Sequence, residues 1–164
     1  MTRILDSYHR LLKIAMTLLM GLMIVPVLLQ IVSRYTGVIP RYIWTEEIAR
    51  FCFVWIIMIG SMIAVREDAH FDVDLLPAPE TPRQEALGRL IVHGGMLVLA
   101  VMFAWYGCDF ARFGWLQNSE MSGINMLSIY VSFPLAGMTW VAFLAEKIVA
   151  DIRDVVGRES EAEV

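Results

Sequence analysis

The sequence holds two cysteines and three histidines in 164 residues, too few of either to build a centre. Cys52 and Cys108 lie far apart, in or beside apolar runs. That spacing excludes a disulfide framework, a cysteine metal cluster and a CxxC redox pair, and leaves two small buried hydrophobes. A four-span thiol oxidase needs paired cysteines and is disfavoured on the same ground. Only His93 falls inside an apolar run, since His9 and His70 lie outside, so a membrane haem with two axial histidines lacks its second ligand. Also missing are a Gly-rich phosphate loop, a nucleophile with its base, and a carboxylate deep in an apolar run. The last is what a stand-alone small multidrug exporter would need. There is no basic surplus either: 13 Lys and Arg face 17 Asp and Glu, for a net charge of −4. Much of that charge sits in the terminal "RESEAEV", so solvated ends account for it and no nucleic-acid partner is indicated. No internal repeat, low-complexity tract or second domain is visible.

What the chain has in abundance is apolar length. It is 58% hydrophobic with a mean hydropathy of +0.62, more than a soluble domain of this size needs for its core. Each of four long runs can cross a hydrocarbon layer of about 30 Å as a helix. The expected fold is an all-α integral membrane protein, a single domain over residues 1–164 with spans at approximately 11–33, 44–65, 88–110 and 126–147. Residues 148–164 form a C-terminal cytoplasmic tail. The first run exceeds the apolar core of a secretion signal and no small-residue cleavage site follows it, so it is expected to be retained. Ahead of it, Ile4, Leu5, Tyr8, Leu11 and Leu12 recur at helical spacing, which predicts a short N-terminal interfacial amphipathic helix. Arg3, Arg10, Lys13, Arg66, Arg83, Arg89, Lys147, Arg153 and Arg158 fall on one side of the spans. Arg34, Arg41, Arg112 and the embedded Arg50 fall on the other, which predicts cytoplasmic termini. Gly37 and Pro40 mark a short first loop. Thr81, Pro82 and Gln84 carry the pattern of a capped helix start before the third span. Pro26 and Pro134 should bend their helices, and Gly60, Ala64, Gly94 and Gly95 offer small surfaces for close helix approach.

The candidate site residues gather at the start of the second span, in "WTEEIAR". Glu46 and Glu47 occupy a first helical turn, where free backbone amides and the positive helix end favour carboxylates. Arg50 follows one turn later on the same face, and Arg34 at the end of span one can approach from the neighbouring helix. Structural ion pairing at the outer interface is the favoured reading. A proton or cation site and a contact with another subunit remain as functional alternatives. "HFDVD" sets His70, Asp72 and Asp74 at alternate positions, but with no further ligand nearby a solvated loop is favoured over a metal site. Neither a cofactor nor a metal is expected in this chain.

The stretch "RYIWTEEIARFCFVWIIMIGSMIAVREDAHFDVDLLP", with four spans around it, resembles the small DctQ-type membrane subunit of tripartite ATP-independent periplasmic (TRAP) transporters. The residues that carry the resemblance are Arg34, Trp44, Glu46, Glu47, Arg50, Trp55, Gly60, Arg66, His70, Val73 and Asp74. The resemblance implies a non-enzymatic subunit of a bacterial inner-membrane, sodium-coupled importer of an organic acid. Its implied partners are a large DctM-type membrane subunit, a periplasmic substrate-binding protein and membrane lipids. Substrate and sodium sites belong to the large subunit, and the small one enlarges the fixed scaffold. Under that implication Arg34, Trp44, Glu46, Glu47, Arg50, Trp55, Gly60, His70 and Asp74 are structural or subunit-interface residues. The competing class is a membrane anchor or haem-binding subunit of a respiratory redox complex.

Overall fold

A computed structural model of the chain describes residues 2–36, 42–67, 82–120 and 122–162. They form five helices: α1 (Thr2–Thr36), α2 (Ile43–Glu67), α3 (Pro82–Trp115), α4 (Leu127–Tyr130) and α5 (Ser132–Ala162). Four stretches are long and apolar enough to cross a membrane: Leu5–Thr36, Trp44–Glu67, Gly88–Trp115 and Leu127–Ile152. The fourth joins α4 to α5 through a turn at Val131. Pro134 explains that turn, because it has no N–H to give the carbonyl of Tyr130 and its ring crowds that position. As the third residue of α5 it sits where a missing donor costs least. α3 likewise opens on Pro82. Thr81, the cap expected there, lies outside the described residues, as do Gly37, Pro40, His70, Asp72 and Asp74.

The main contacts join α1 to α2, α2 to α5, and α5 to α3. The long helices therefore stand in the order α1, α2, α5, α3, with α1 and α3 at the edges. Burial follows this order: 6% and 11% of the apolar windows of α1 and α3 are buried, against 28% and 44% for α2 and the fourth span. The core is built from Leu12, Ile59, Met62, Ile63, Val65, Phe143 and Leu144, with Ala100 and Ala136 on the far side.

The α3–α5 seam is the tightest part of the fold. Ala100, Gly107 and Gly114 recur every seven residues on α3, which keeps small side chains on one stripe. A Cβ on Gly107 would lie 2.8 Å from the backbone nitrogen of Pro134, and one on Gly137 would run into the backbone of Ala104. Ala100 and Ala136 are fully buried. Aromatic rings line the same seam: Phe110 packs on Tyr130 at 4.2 Å between centroids and on Phe133 at 5.4 Å, and Phe103 packs on Trp140 at 5.1 Å. The expectation of close approach at Gly94 and Gly95 fails, since a Cβ at either would meet nothing within 4 Å. Gly60 meets only the Met16 methyl, at an ordinary 3.7 Å.

The N-terminal stretch is not a separate interfacial helix. α1 runs unbroken from Thr2, because nothing between Tyr8 and Leu11 interrupts it and an existing helix extends at low cost. Three of its apolar residues turn inward, Leu5 and Tyr8 packing on the core and Leu12 belonging to it, while Leu11 faces outward. Tyr8 also shares a 3.0 Å hydrogen bond with Thr139 of α5, and its ring lies 6.1 Å from that of Phe143.

Candidate functional site

Chemistry-bearing side chains collect at the two ends of the helix row. At the end where α2 begins, Thr45 turns the chain into the helix, its hydroxyl donating to the Tyr42 carbonyl at 2.7 Å. This sets Glu46 and Glu47 in the first turn on different faces. Glu46 is exposed and accepts from Arg50 Nη2 at 3.3 Å, one turn along the same helix. Glu47 turns inward and is only 8% exposed. The Ser119 and Ser122 hydroxyls hydrogen-bond to its carboxylate, yet among the described residues Oε2 is buried with no hydrogen-bond partner.

The segment between α3 and α4 is shaped to meet Glu47. Asn118 and Asn125 face each other in an antiparallel bridge. Ser119 N–H donates to the Ile124 carbonyl at 2.9 Å and Met126 N–H to that of Gln117 at 2.9 Å. Gly123 closes the turn with φ of +71°, a conformation that costs glycine little. Asn125 holds both flanks: its amide donates to the Trp115 carbonyl at 3.0 Å, and its Oδ1 accepts from Leu127 N–H at 2.8 Å. The result is a cleft of about 500 Å³ lined by Glu46, Glu47, Arg50, Gln117, Asn118, Ser119, Glu120 and Met126.

The other residues named from the sequence are placed around this cleft. Trp55, two turns further along α2, donates its indole N–H to the Ser128 carbonyl at 2.9 Å and so ties α2 to α4. Trp44 is exposed and stacks obliquely on Tyr42. Arg34 is exposed at the end of α1 and makes no ion pair with Glu46 or Glu47 among the described residues, so the pairing that the structure shows is local to α2. Gly60 lies against α1. His70 and Asp74 lie outside the described residues.

At the opposite end, where α2 finishes, the ion pairs run between helices. Arg66 donates to Glu146 of α5 at 2.5 Å and to Asp6 of α1 at 2.8 Å, with its guanidinium 5.4 Å over the Phe143 ring. Lys147 caps the same helix end, donating to the Val65 carbonyl at 2.7 Å, where the negative end of the helix favours a cation. Glu67 pairs with Lys13 at 2.5 Å and His9 at 3.3 Å, both on α1. His93 Nδ1 lies 2.6 Å from Asp151, which also faces Arg89 at 3.7 Å, joining α3 to α5. Among the described residues no group of three His, Cys, Asp or Glu side chains is arranged to hold a metal. Of these residues only Arg66 belongs to the motif that carries the family resemblance; His9 and His93 entered only as haem-ligand candidates, and Lys13, Arg89 and Lys147 only through the charge count. The opposite charges at positions 6, 66 and 146 were a signal readable only once α1, α2 and α5 were known to meet.

The family model for "Tripartite ATP-independent periplasmic transporters, DctQ component" matches residues 23–154. The chain belongs to the DctQ family. It is thus a TRAP transporter small permease subunit, a transport component and not an enzyme, and a multi-pass membrane protein with four candidate spans. Two TRAP transporter small permease proteins of Haemophilus influenzae are similar to it. One is 27% identical over 88% of this chain and 89% of the relative, and the other 24% identical over 68% and 67%. An isethionate TRAP transporter permease protein DctMQ of Oleidesulfovibrio alaskensis is 25% identical over 75% of this DctQ chain, which spans 20% of that longer protein.

Proposed function

We propose that this DctQ chain is the fixed scaffold subunit of a sodium-coupled, binding-protein-dependent importer of an organic acid. It holds and orients a large DctM-type membrane subunit and binds no substrate itself. The observation that carries this is the row of helices. α1 and α3, at its edges, leave most of their apolar length uncovered, while α2 and α5 are held between them by the Arg66 cluster and the glycine seam. A rigid, thin layer with apolar edges suits lateral attachment to a larger membrane protein. Transport sites, by contrast, are usually built from broken helices and polar groups near the membrane midplane. The relative in O. alaskensis, whose name joins M and Q, supports the same pairing.

In this reading the termini and the Arg66 end face the cytoplasm of a bacterial inner membrane, and the Glu47 cleft faces the periplasm and the binding protein. The excess of Lys and Arg at the Arg66 end supports that orientation. Reconstitution tests the role. Proteoliposomes holding the large subunit and the binding protein should take up solute only when this chain is included, and this chain alone should bind no solute. Uptake of equal rate without it would refute the scaffold role.

A further inference from the structure

Among the described residues the charge at the Glu47 cleft is unbalanced. Of the described residues, Glu46, Glu47 and Glu120 line it with Arg50 as the one cation among them, which leaves two net negative charges in that set. Arg50 is engaged by Glu46. Glu47 is more than nine-tenths buried and Oε2, shielded from solvent, has no partner among the described residues. A buried carboxylate oxygen left unpaired is unfavourable by itself, and becomes favourable when a cation completes it. A small metal ion would need a close shell of oxygens, whereas about 500 Å³ of cleft admits an extended side chain. The surroundings add acceptors that such a side chain can use: the Ser119 and Ser122 hydroxyls and the side-chain carbonyl of Gln117.

We propose that this cleft receives a basic side chain, arginine or lysine, presented by another protein component of the transporter, with Glu47 as its principal acceptor. The inference needs only that the chain is one component of a tripartite transporter, and does not depend on the scaffold role.

The test places photoreactive benzoylphenylalanine at Gln117, on the cleft rim, in cells that make all three components. Irradiation should join this chain to a second component, at a peptide that carries an arginine or lysine. Glu47→Gln should lower that yield about tenfold, and Glu47→Asp, which keeps the charge, should lower it less. The exposed Glu120→Gln serves as a second variant, independent of any buried group, with an expected two- to threefold loss. Equal yields in wild type and both Gln variants would overturn the proposal. So would adducts confined to this chain or to lipid, or sodium binding by the purified chain that Glu47→Gln abolishes. Retention of the large subunit, scored in the same membranes, separates the two readings. Absence of the adduct with retention intact refutes the cleft alone, whereas failure of the wild-type chain to retain the large subunit refutes the scaffold.

Discussion

The two ends of this helix row carry similar charged residues and use them differently. Where α2 finishes, each carboxylate in the cluster meets a cation on another helix: Asp6 and Glu146 share Arg66, Glu67 meets Lys13, and Asp151 meets Arg89 and also shares a hydrogen bond with His93. Where α2 begins, the ion pairs among the described residues, Glu46–Arg50 and Asp109–Arg112, are each internal to a single helix and exposed, and Glu47 is buried with an oxygen unspent. The first pattern fixes how α1, α2, α3 and α5 stand against one another. The second contributes little to that arrangement and leaves charge available for a partner. Charged groups in a membrane subunit can thus be sorted by whether their counter-charges lie within the chain.

Removing the Arg66 hub should have the largest effect. Arg66→Ala leaves Glu146 and Asp6 without their cation, at a cost of about 3 kcal/mol, seen as a marked drop in Tm in detergent. Arg66→Leu combined with Glu146→Leu should recover part of that loss, because it removes the stranded charge as well. An unchanged Tm in Arg66→Ala would erase the contrast between the ends. Next comes the seam that joins them. Gly137→Ala pushes a methyl into the Ala104 backbone and should cost about 2 kcal/mol, although alanine in a helix ordinarily gains about 1 kcal/mol over glycine. The same substitution at Gly94, which faces open space, should be neutral or stabilising, so the pair of Tm values checks the assignment.

These contrasts also show what the sequence could and could not reveal. The four spans were legible because hydropathy over some twenty residues needs no tertiary knowledge. The α2 entry motif was legible because Glu46 and Arg50 are one turn apart. Close approach is expected at Gly94 and Gly95 but occurs at Gly107 and Gly137, since adjacency in sequence says nothing of which face meets a neighbour. The seven-residue repeat of Ala100, Gly107 and Gly114 was the available signal. Arg34 is expected near Glu46 and Glu47 because it ends the neighbouring helix, but it pairs with neither among the described residues. The role of Arg66 depends on partners 60 and 80 residues away, and local spacing carries no trace of them. The N-terminal amphipathic pattern is helical as expected but continues into the first span, and Leu5, Tyr8 and Leu12 of its stripe meet the core, because an apolar stripe looks the same whether a membrane or a core covers it.

The smaller effects sharpen the contrast at the other end. Glu47→Gln should leave Tm unchanged or slightly higher, opposite in sign to Arg66→Ala, while the crosslink from position 117 to a second component falls. A drop in Tm comparable to that of Arg66→Ala would place Glu47 with the internal scaffold. Arg50→Ala removes an exposed one-turn pair and should change stability by less than about 0.5 kcal/mol, measured by the same melts.

The central claim, a layer of helices that stays fixed during transport, is tested most directly by a distance across it. Spin labels at Thr17→Cys on α1 and Met102→Cys on α3, with Cys52 and Cys108 replaced by alanine, span its two edges in the assembled transporter. The predicted pulsed-resonance distance is the same with and without saturating sodium and transported solute. A shift of about 10 Å, the width of one helix, would show that the layer itself moves and would contradict the account.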